Sequence, residues 1–384
     1  MKSPHILVLT LSFGSGHVRA AEAIASEILR QVPNAEVVTI DALVDSGFLF
    51  RAGYVWPYWA MVRYAPRLWD RLFTRRLSQR HSSTVPHWIF EFGCPEVFKA
   101  IANFRPDTIV ATEVGACEIA SIARGKGITT ARIVNVITDY ETEPVWVQPE
   151  VDVYAVADKH VCNQLSDWRV PLERIVVCGI PTDREFQIRQ DVQKTRAKYK
   201  LSNDAPIILV MGGGMGPTRM DHVVAFLTAS AKRIQIVAVT GHDKRTLRRI
   251  EAFEPSTPAT VRVLGWTNDL PALMQMASVL ITKPGGLTTA EATVSALALV
   301  MFDPIPGPEC RNAQRLVEKG AGILTSAAGE AATVALLLLD DESLRRRMSA
   351  NAKRLARPDA TAAIARLALN DSVAEPRLAS AITA

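Results

Sequence analysis

A chain of 384 residues with 48% hydrophobic and 22% charged residues and a mean hydropathy of +0.10 is ordinary globular material. That composition excludes disordered, collagen-like and small disulfide-stapled chains, and the length suits two or three domains, each with its own core. The net charge of +5 is unevenly placed: residues 46–92 hold seven arginines, no lysine and only Asp70 and Glu91 as acids, together with 12 of the 25 aromatic residues. Five scattered cysteines (94, 117, 162, 178 and 310) form no CxxC pair, so they read as reduced intracellular thiols and not as a zinc site. No apolar run approaches the roughly 18 residues of a membrane helix, so the chain is not expected to cross a bilayer.

In chain order, His5–Leu11 reads as a buried strand. Val18–Val32 follows as a helix, with Ala21, Ile24, Ile28 and Val32 near one face. Strands are expected at Ala35–Ile40, Asp107–Ala111, Ala131–Thr138, Asp152–Ala157 and Ile175–Cys178, with helices between several of them. The pattern pauses at Pro181–Ala205. It resumes with IILVMGGGMGPT from residue 207, then with strands at Ile234–Thr240, Val261–Leu264, Val279–Thr282 and Ala298–Phe302. Helices fit Pro217–Ser230, Asp243–Phe253, Thr288–Leu297 and Cys310–Lys319. Alternating strand and helix implies parallel sheets covered on both faces. The expected organisation is an α/β fold of two Rossmann-like domains. Residues 1–180 form the first, 181–205 a linker, 206–357 the second, and 358–384 a helical tail.

Ligands of open parallel sheets bind beyond the carboxyl ends of the strands, and three glycine loops fall at such places. In Ser12–His17 the two glycines 14 and 16 allow close backbone approach. A dinucleotide fingerprint wants a third glycine where Arg19 stands, which makes an NAD site a weak reading. His17 lies at a helix start, where the dipole disfavours imidazolium. That leaves it a neutral proton acceptor, with a packing or capping histidine as the rival reading. The second loop, Gly212–Gly216, offers amides for phosphate, though a bare glycine run is equally a tight turn. It is no Walker loop, lacking Gly-Lys-Ser/Thr. The third, Lys283–Glu291, carries Gly285, Gly286 and Thr288 for a diphosphate, then Glu291, a carboxylate able to accept from two vicinal ribose hydroxyls.

Within residues 46–92, Arg63, Arg67, Arg71 and Arg75 recur every fourth position, one stripe of a helix, with Trp69 and Phe73 on its apolar face. Pro66 starts that helix or kinks it. Arginine opposite tryptophan and phenylalanine is the make-up of an interfacial membrane binder. Nucleic acid ranks lower because no nucleic-acid motif accompanies the patch, and a packed helix with solvated arginines is the bland alternative.

The order and spacing of several motifs resemble the processive diacylglycerol glucosyltransferases and monogalactosyldiacylglycerol synthases and, more distantly, the enzyme that adds N-acetylglucosamine to lipid-linked muropeptide. The carriers are Gly14–His17, Thr138-Asp139-Tyr140, Val145-Trp146-Val147 and Val151-Asp152, then Val210–Gly214, Gly241-His242, Gly265-Trp266, Lys283–Glu291 and Pro306–Ala313. The resemblance implies an inverting GT-B glycosyltransferase, with no essential metal and no cofactor. It would pass a hexose, glucose or galactose, from a UDP-sugar to diacylglycerol or a glycosyl-diacylglycerol on an anionic membrane. A cytoplasmic enzyme on the inner face of the cell membrane is the expected setting.

By motif position His17 is the base or its close helper, with Asp139 or Glu113 the carboxylate that orients it and Asp139 the next candidate base. Glu291 takes the ribose, Gly265 the uracil by backbone groups, Gly212, Gly213, Gly285, Gly286 and Thr288 the phosphates, and Glu309 and Asn312 the sugar. Trp56, Trp59, the four arginines and Trp146 are the expected membrane- and acceptor-facing residues. Three places depart from the family: Pro308 replaces the usual Gln of the sugar-facing loop, Glu113-Val114 replace a His-Pro pair, and Leu11-Ser12-Phe13 offer no acidic residue before the first glycine loop. The departures at Pro308 and Glu113 leave open a non-catalytic sugar-nucleotide or anionic-lipid binding module; a UDP-sugar epimerase on the same fold, with no need of the membrane segment, is the neighbouring enzymatic reading.

Overall fold

The structure, a computed structural model, describes residues 3–44, 46–77, 86–213, 218–253 and 258–370. Residues 214–217 of the second glycine loop, with the expected start of its helix, Arg80 of the basic segment, and the tail beyond 370 lie outside them.

Two six-stranded sheets, each parallel throughout, carry the chain. The first contains β1 (His5–Thr10), β2 (Glu36–Asp41), β3 (Thr108–Ala111), β4 (Arg132–Val136), β5 (Val153–Val156) and β6 (Ile175–Val177), in the order 2-1-3-4-5-6. The second contains β7 (Ile207–Met211), β8 (Gln235–Val239), β9 (Thr260–Leu264), β10 (Val279–Thr282), β11 (Leu299–Met301) and β12 (Gly322–Leu324), in the order 12-11-10-7-8-9. The central strands are runs of Ile, Val and Leu sealed on both faces. Leu7, Val8 and Leu9 of β1 and Ile208, Leu209 and Val210 of β7 have no exposed surface. The twelfth strand, a short edge piece, is one that periodicity does not reveal.

Each sheet reverses its winding once, between β1 and β3 in the first and between β7 and β10 in the second. Ligands gather at such switch points because the loops leaving the two strands diverge and open a crevice. The loops concerned are Leu11–Gly14 and Thr112-Glu113 on one half, and Gly212-Gly213 and Lys283–Gly285 on the other. The glycines and His17 therefore fall where topology opens the sheets, while Asp139 follows β4, one strand beyond the first switch point.

The domain boundaries differ from the expected ones at two places. Helix Val192–Tyr199, inside the stretch read as a linker, packs through Val192 and Tyr199 on the core of the second sheet, as do Phe186 and Leu201. Helix Ala360–Ala368, read as part of a tail, returns to the first half, where Ile364, Ala365 and Leu367 join Ile24 and Ile28 in one apolar cluster. Both segments are short and polar on one side, so their partners are set by tertiary packing, which spacing alone does not reveal.

The basic segment is broken where one stripe was expected. Helix Trp56–Tyr64 ends at Ala65 (φ −135°, ψ 50°), and a new helix starts at Pro66 and runs to Leu77. The clash of proline Cδ with the preceding residue keeps Ala65 out of helical geometry. Arg63 thus sits on the first helix, and Arg67, Arg71 and Arg75 on the second; all four are exposed. Trp69 and Phe73 do not face a membrane. Both are buried, Trp69 donating its indole N–H to Pro306 O (3.0 Å) and Phe73 packing on Gly307. Gly307 has φ +92°, and a Cβ there would stand 2.9 Å from the Phe73 ring, so only glycine admits this contact between the halves.

Candidate active site

A cavity of about 570 Å³ lies between the two halves. His17, Thr138 and Asp139 line it from the first half, and Gly213, Gly285, Thr288, Glu291 and Glu309 from the second.

Gly14 caps the helix Ser15–Gln31, which places His17 in its first turn. The His17 Nδ1 lies 3.0 Å from Thr112 O and 3.0 Å from Thr138 Oγ1. A carbonyl oxygen can only accept, so Nδ1 carries the proton and the basic lone pair is on Nε2. Burial lowers the His17 pKa, while the Asp139 charge and the bond to Thr112 pull the other way. The ring is thus the neutral acceptor expected from its helix position, though desolvation is the main cause. Among the described residues no carboxylate hydrogen-bonds His17; Thr112 and Thr138 hold its Nδ1 instead. Glu113 does not orient His17 either: its carboxylate caps the helix Val114–Gly125, accepting from Gly115 N (2.6 Å) and Ala116 N (3.2 Å). Burial pushes the Glu113 carboxyl up to about 7.

Asp139 acts on His17 through its charge and is held by the opposite half. Its Oδ1 accepts from Asn312 Nδ2 (2.8 Å), and its carboxylate also accepts from the Gly286 amide. Desolvation raises its pKa, against the pull of Asn312, His17 and Gly286. The two halves touch here: a Cβ on Gly286 would lie 2.0 Å from Thr138 O. Gly286 is therefore glycine because backbone meets backbone, and in this form its amide serves Asp139 instead of facing an open phosphate site.

Asn312 departs from its expected role. It has no exposed surface, and its amide bridges Asp139, Pro284 O (3.1 Å) and the Tyr140 N–H (2.9 Å). It is a strut between the halves and does not line the cavity. Glu309 does line it, with Oε2 accepting from Ile305 N (2.6 Å) and standing 4.0 Å from Lys283 Nζ. Gly285 caps the helix Gly286–Val294, which points its amino end at the cavity, and Thr288 lies in that first turn. Glu291 is almost wholly buried, and burial pushes its carboxyl up to about 8 against the opposing charge of Arg19. Gly212 and Gly265 do not line the cavity; their neighbours Gly213, Gly241, Trp266 and Thr267 do. Among the described residues no group of three or more His, Cys, Asp or Glu is placed to hold a metal ion.

The first half continues the cavity with Phe13, Tyr58, Trp59, Val145 and Trp146, an apolar wall. Arg76 and Glu143, 3.6 Å apart, add a charged pair that sequence spacing did not mark. Burial pushes the Glu143 carboxyl up to about 7, with Arg76 opposing. Trp56 lies outside the cavity, half exposed, with its ring on Phe48 (5.3 Å).

The family model for monogalactosyldiacylglycerol (MGDG) synthase matches residues 17–182, and that for the glycosyltransferase family 28 C-terminal domain matches residues 207–366. Curated relatives named processive diacylglycerol beta-glucosyltransferase, from Bacillus thuringiensis (strain Al Hakam) and Bacillus cereus (strain B4264), are each 26% identical, covering 98% of this chain and 96% of their own. Among solved structures, MurG from Acinetobacter baumannii matches with TM-score 0.61 and 16% identity over 96% of this chain and 99% of its own. Anabaena HepE in complex with UDP and glucose gives TM-score 0.57 and 15% identity (96% and 100%), and UDP-GlcNAc 2-epimerase from Neisseria meningitidis gives 0.60 and 12% (96% and 100%). These structures establish the shared GT-B fold, and with both halves matched in order the chain belongs to the family of the processive diacylglycerol glucosyltransferases and monogalactosyldiacylglycerol synthases.

Proposed function

We propose that this chain transfers a hexose from a UDP-sugar to the hydroxyl of a diacylglycerol-type lipid by a single inverting displacement. The observation that carries the reading is one cavity with a neutral histidine on one wall and a glycine-capped helix start followed by a buried carboxylate on the other. His17 Nε2 takes the acceptor hydroxyl proton as that oxygen attacks the anomeric carbon. The bond from that carbon to the β-phosphate oxygen breaks, and its electron pair leaves on UDP. Amides at the amino end of helix Gly286–Val294 and the Thr288 hydroxyl stabilise the departing diphosphate, while Glu291 accepts from the ribose hydroxyls. Glu309 stands where the sugar would sit. Pro308 lines the same wall but offers no donor, so the choice between glucose and galactose falls to other groups.

The acceptor comes from a membrane surface in this reading. No helix among the described residues is long and apolar enough to cross a membrane. The first half instead exposes Phe48 (69%), Leu49 (83%), Trp88 (60%) and Phe92 (81%) beside Trp56, with the exposed arginines on the neighbouring helices. Such a mixture favours docking on an anionic leaflet, the apolar side chains entering the interface and the arginines facing headgroups. The experiment is UDP release from UDP-glucose or UDP-galactose with and without lipid extract. Lipid-dependent release supports transfer. Release without lipid, or conversion of the donor sugar with no lipid product, would replace it with hydrolysis or epimerisation.

A further inference from the structure

Arg19 enters the sequence reading only as the residue that spoils a dinucleotide fingerprint, yet it spans the cleft. It leaves the helix Ser15–Gln31 on the first half and lines the cavity. Its guanidinium carbon lies 5.6 Å from the ring centroid of Trp266 on the second half, and Trp266 stacks on His242 at 4.6 Å and 9°. Trp266 thus meets the guanidinium from the first half and the His242 imidazole from its own, which joins the halves at the cavity wall. The ion pairs of Arg19 are loose: Nη1 is 3.3 Å from Glu22 and Nη2 is 3.8 Å from Asp183. Charge-assisted hydrogen bonds run to about 2.7–2.9 Å, so the guanidinium, with five N–H donors, is held mainly by stacking.

We infer that Arg19 is a positioning residue for the donor: stacked on Trp266 across the cleft, it brings a positive charge to the cavity that Glu291 also lines, so that closing the cleft and gripping the nucleoside are one event. The inference rests on Glu291 taking the ribose. A carboxylate accepts from both vicinal hydroxyls only when ionised, and burial opposes ionisation at this site. The charged groups acting on it are Arg19, which favours the anion, and Asp183, from the loop after β6, which disfavours it. With Arg19 in place the Glu291 carboxyl sits at about 8, so withdrawing the guanidinium on opening disfavours the anion further, and closing favours it.

Calorimetric titration of uridine and of UDP into the parent, Arg19→Ala, Arg19→Lys and Glu291→Ala proteins at pH 6.5, 7.5 and 8.5 tests this, after melting curves show each variant folded. One unit of displaced titration is about tenfold in the ionised fraction below the midpoint. Arg19→Ala is therefore expected to weaken both ligands about tenfold at pH 7.5, with the deficit shrinking at pH 8.5. Lysine restores the pH profile but only part of the affinity, since it lacks the planar stack. Parental affinity in Arg19→Ala, a loss equal at all three pH values, or a loss for UDP and not uridine each overturns the inference. Unchanged uridine binding by Glu291→Ala overturns the ribose assignment and this inference with it. A loss in Glu291→Ala with none in Arg19→Ala overturns the role of Arg19 alone.

Discussion

The two walls of the cavity are built from different chemical material. The second half presents mainly backbone, Gly213, Gly241, the capping Gly285 and a helix start, with the carboxylates of Glu291 and Glu309 and the ammonium of Lys283 set among them. The first half presents titratable side chains, His17, Asp139, Glu113 and Glu143, with Arg76 and an aromatic wall. Backbone amides carry no proton to lose, hold anions at any pH and need only glycine to expose them. Side chains can move a proton and can be tuned by burial, as the displaced carboxyls of Glu113 and Glu143 show. The fold has one wall suited to hold and one suited to act.

The sharpest way to break this comparison is at His17. If the first half acts and the second holds, His17→Ala should lose about 100- to 10,000-fold in transfer rate while keeping its melting temperature and UDP affinity. A loss of UDP binding instead would move His17 to the holding wall. Transfer within a few fold of the parent would pass the base role to Asp139. That residue already answers to the second half through Asn312 and Gly286.

Next in size is the delivery of the acceptor, again a side-chain matter. Each arginine near an anionic leaflet contributes about 1 kcal/mol, so changing Arg63, Arg67, Arg71 and Arg75 to Glu, which removes four attractions and adds repulsion, should cost at least about 4 kcal/mol, roughly a thousandfold or more in partitioning. Co-sedimentation with anionic and neutral vesicles over a salt series measures it. The residual salt-resistant binding should track Leu49 and Trp56 and not Trp69, which is buried against Pro306. Equal binding of parent and variant to both vesicle types would reduce the segment to a packed surface.

On the holding wall, Glu291→Ala should weaken UDP by about 10- to 150-fold, the 1.5–3 kcal/mol of one charged acceptor. Transfer rate at saturating donor should fall far less than in His17→Ala. A reversed pattern, with normal binding and lost rate, would make Glu291 an acting residue and blur the two walls.

The unequal materials also explain what was legible in the sequence. Glycine runs after apolar strands announce exposed backbone, so Gly285, Gly213 and the switch-point loops could be read from order and spacing. Glu291 followed, because it sits one turn into the helix that those glycines start. Roles made of contacts between distant elements were not readable. Asn312 was expected to face a sugar, and only folding brings Asp139, Tyr140 and Pro284 around its amide. Arg76 pairs with Glu143 across 67 positions of sequence, and Arg19 meets Trp266 across nearly 250, so no local pattern marks either. The apolar stripe of Trp69 and Phe73 was visible, but periodicity does not say whether protein or lipid covers it.

An effect on stability and not on binding or rate concerns a buried acid behind the acting wall. Glu118 is 2% exposed on the helix Val114–Gly125, and neither carboxyl oxygen has a hydrogen-bond partner among the described residues. Burial, with Glu113 nearby, pushes its carboxyl up to about 8 from an ordinary 4.5. The folded protein therefore binds this proton more tightly than the unfolded chain does. The associated stability is fully present below about pH 4.5, declines as pH rises, and is lost once pH passes about 8, an effect on the order of a few kcal/mol. Glutamine keeps the shape and cannot ionise. Glu118→Gln should therefore melt within a few degrees of the parent at pH 5 and above it at pH 9, the gap widening with pH. Glu113 and Glu143 titrate in both proteins, so the difference between the two melting curves reports position 118 together with its coupling to Glu113. A gap that stays constant across that range would mean Glu118 finds a partner for its charge, and the buried acids of the first half would then be no more tunable than the amides facing them.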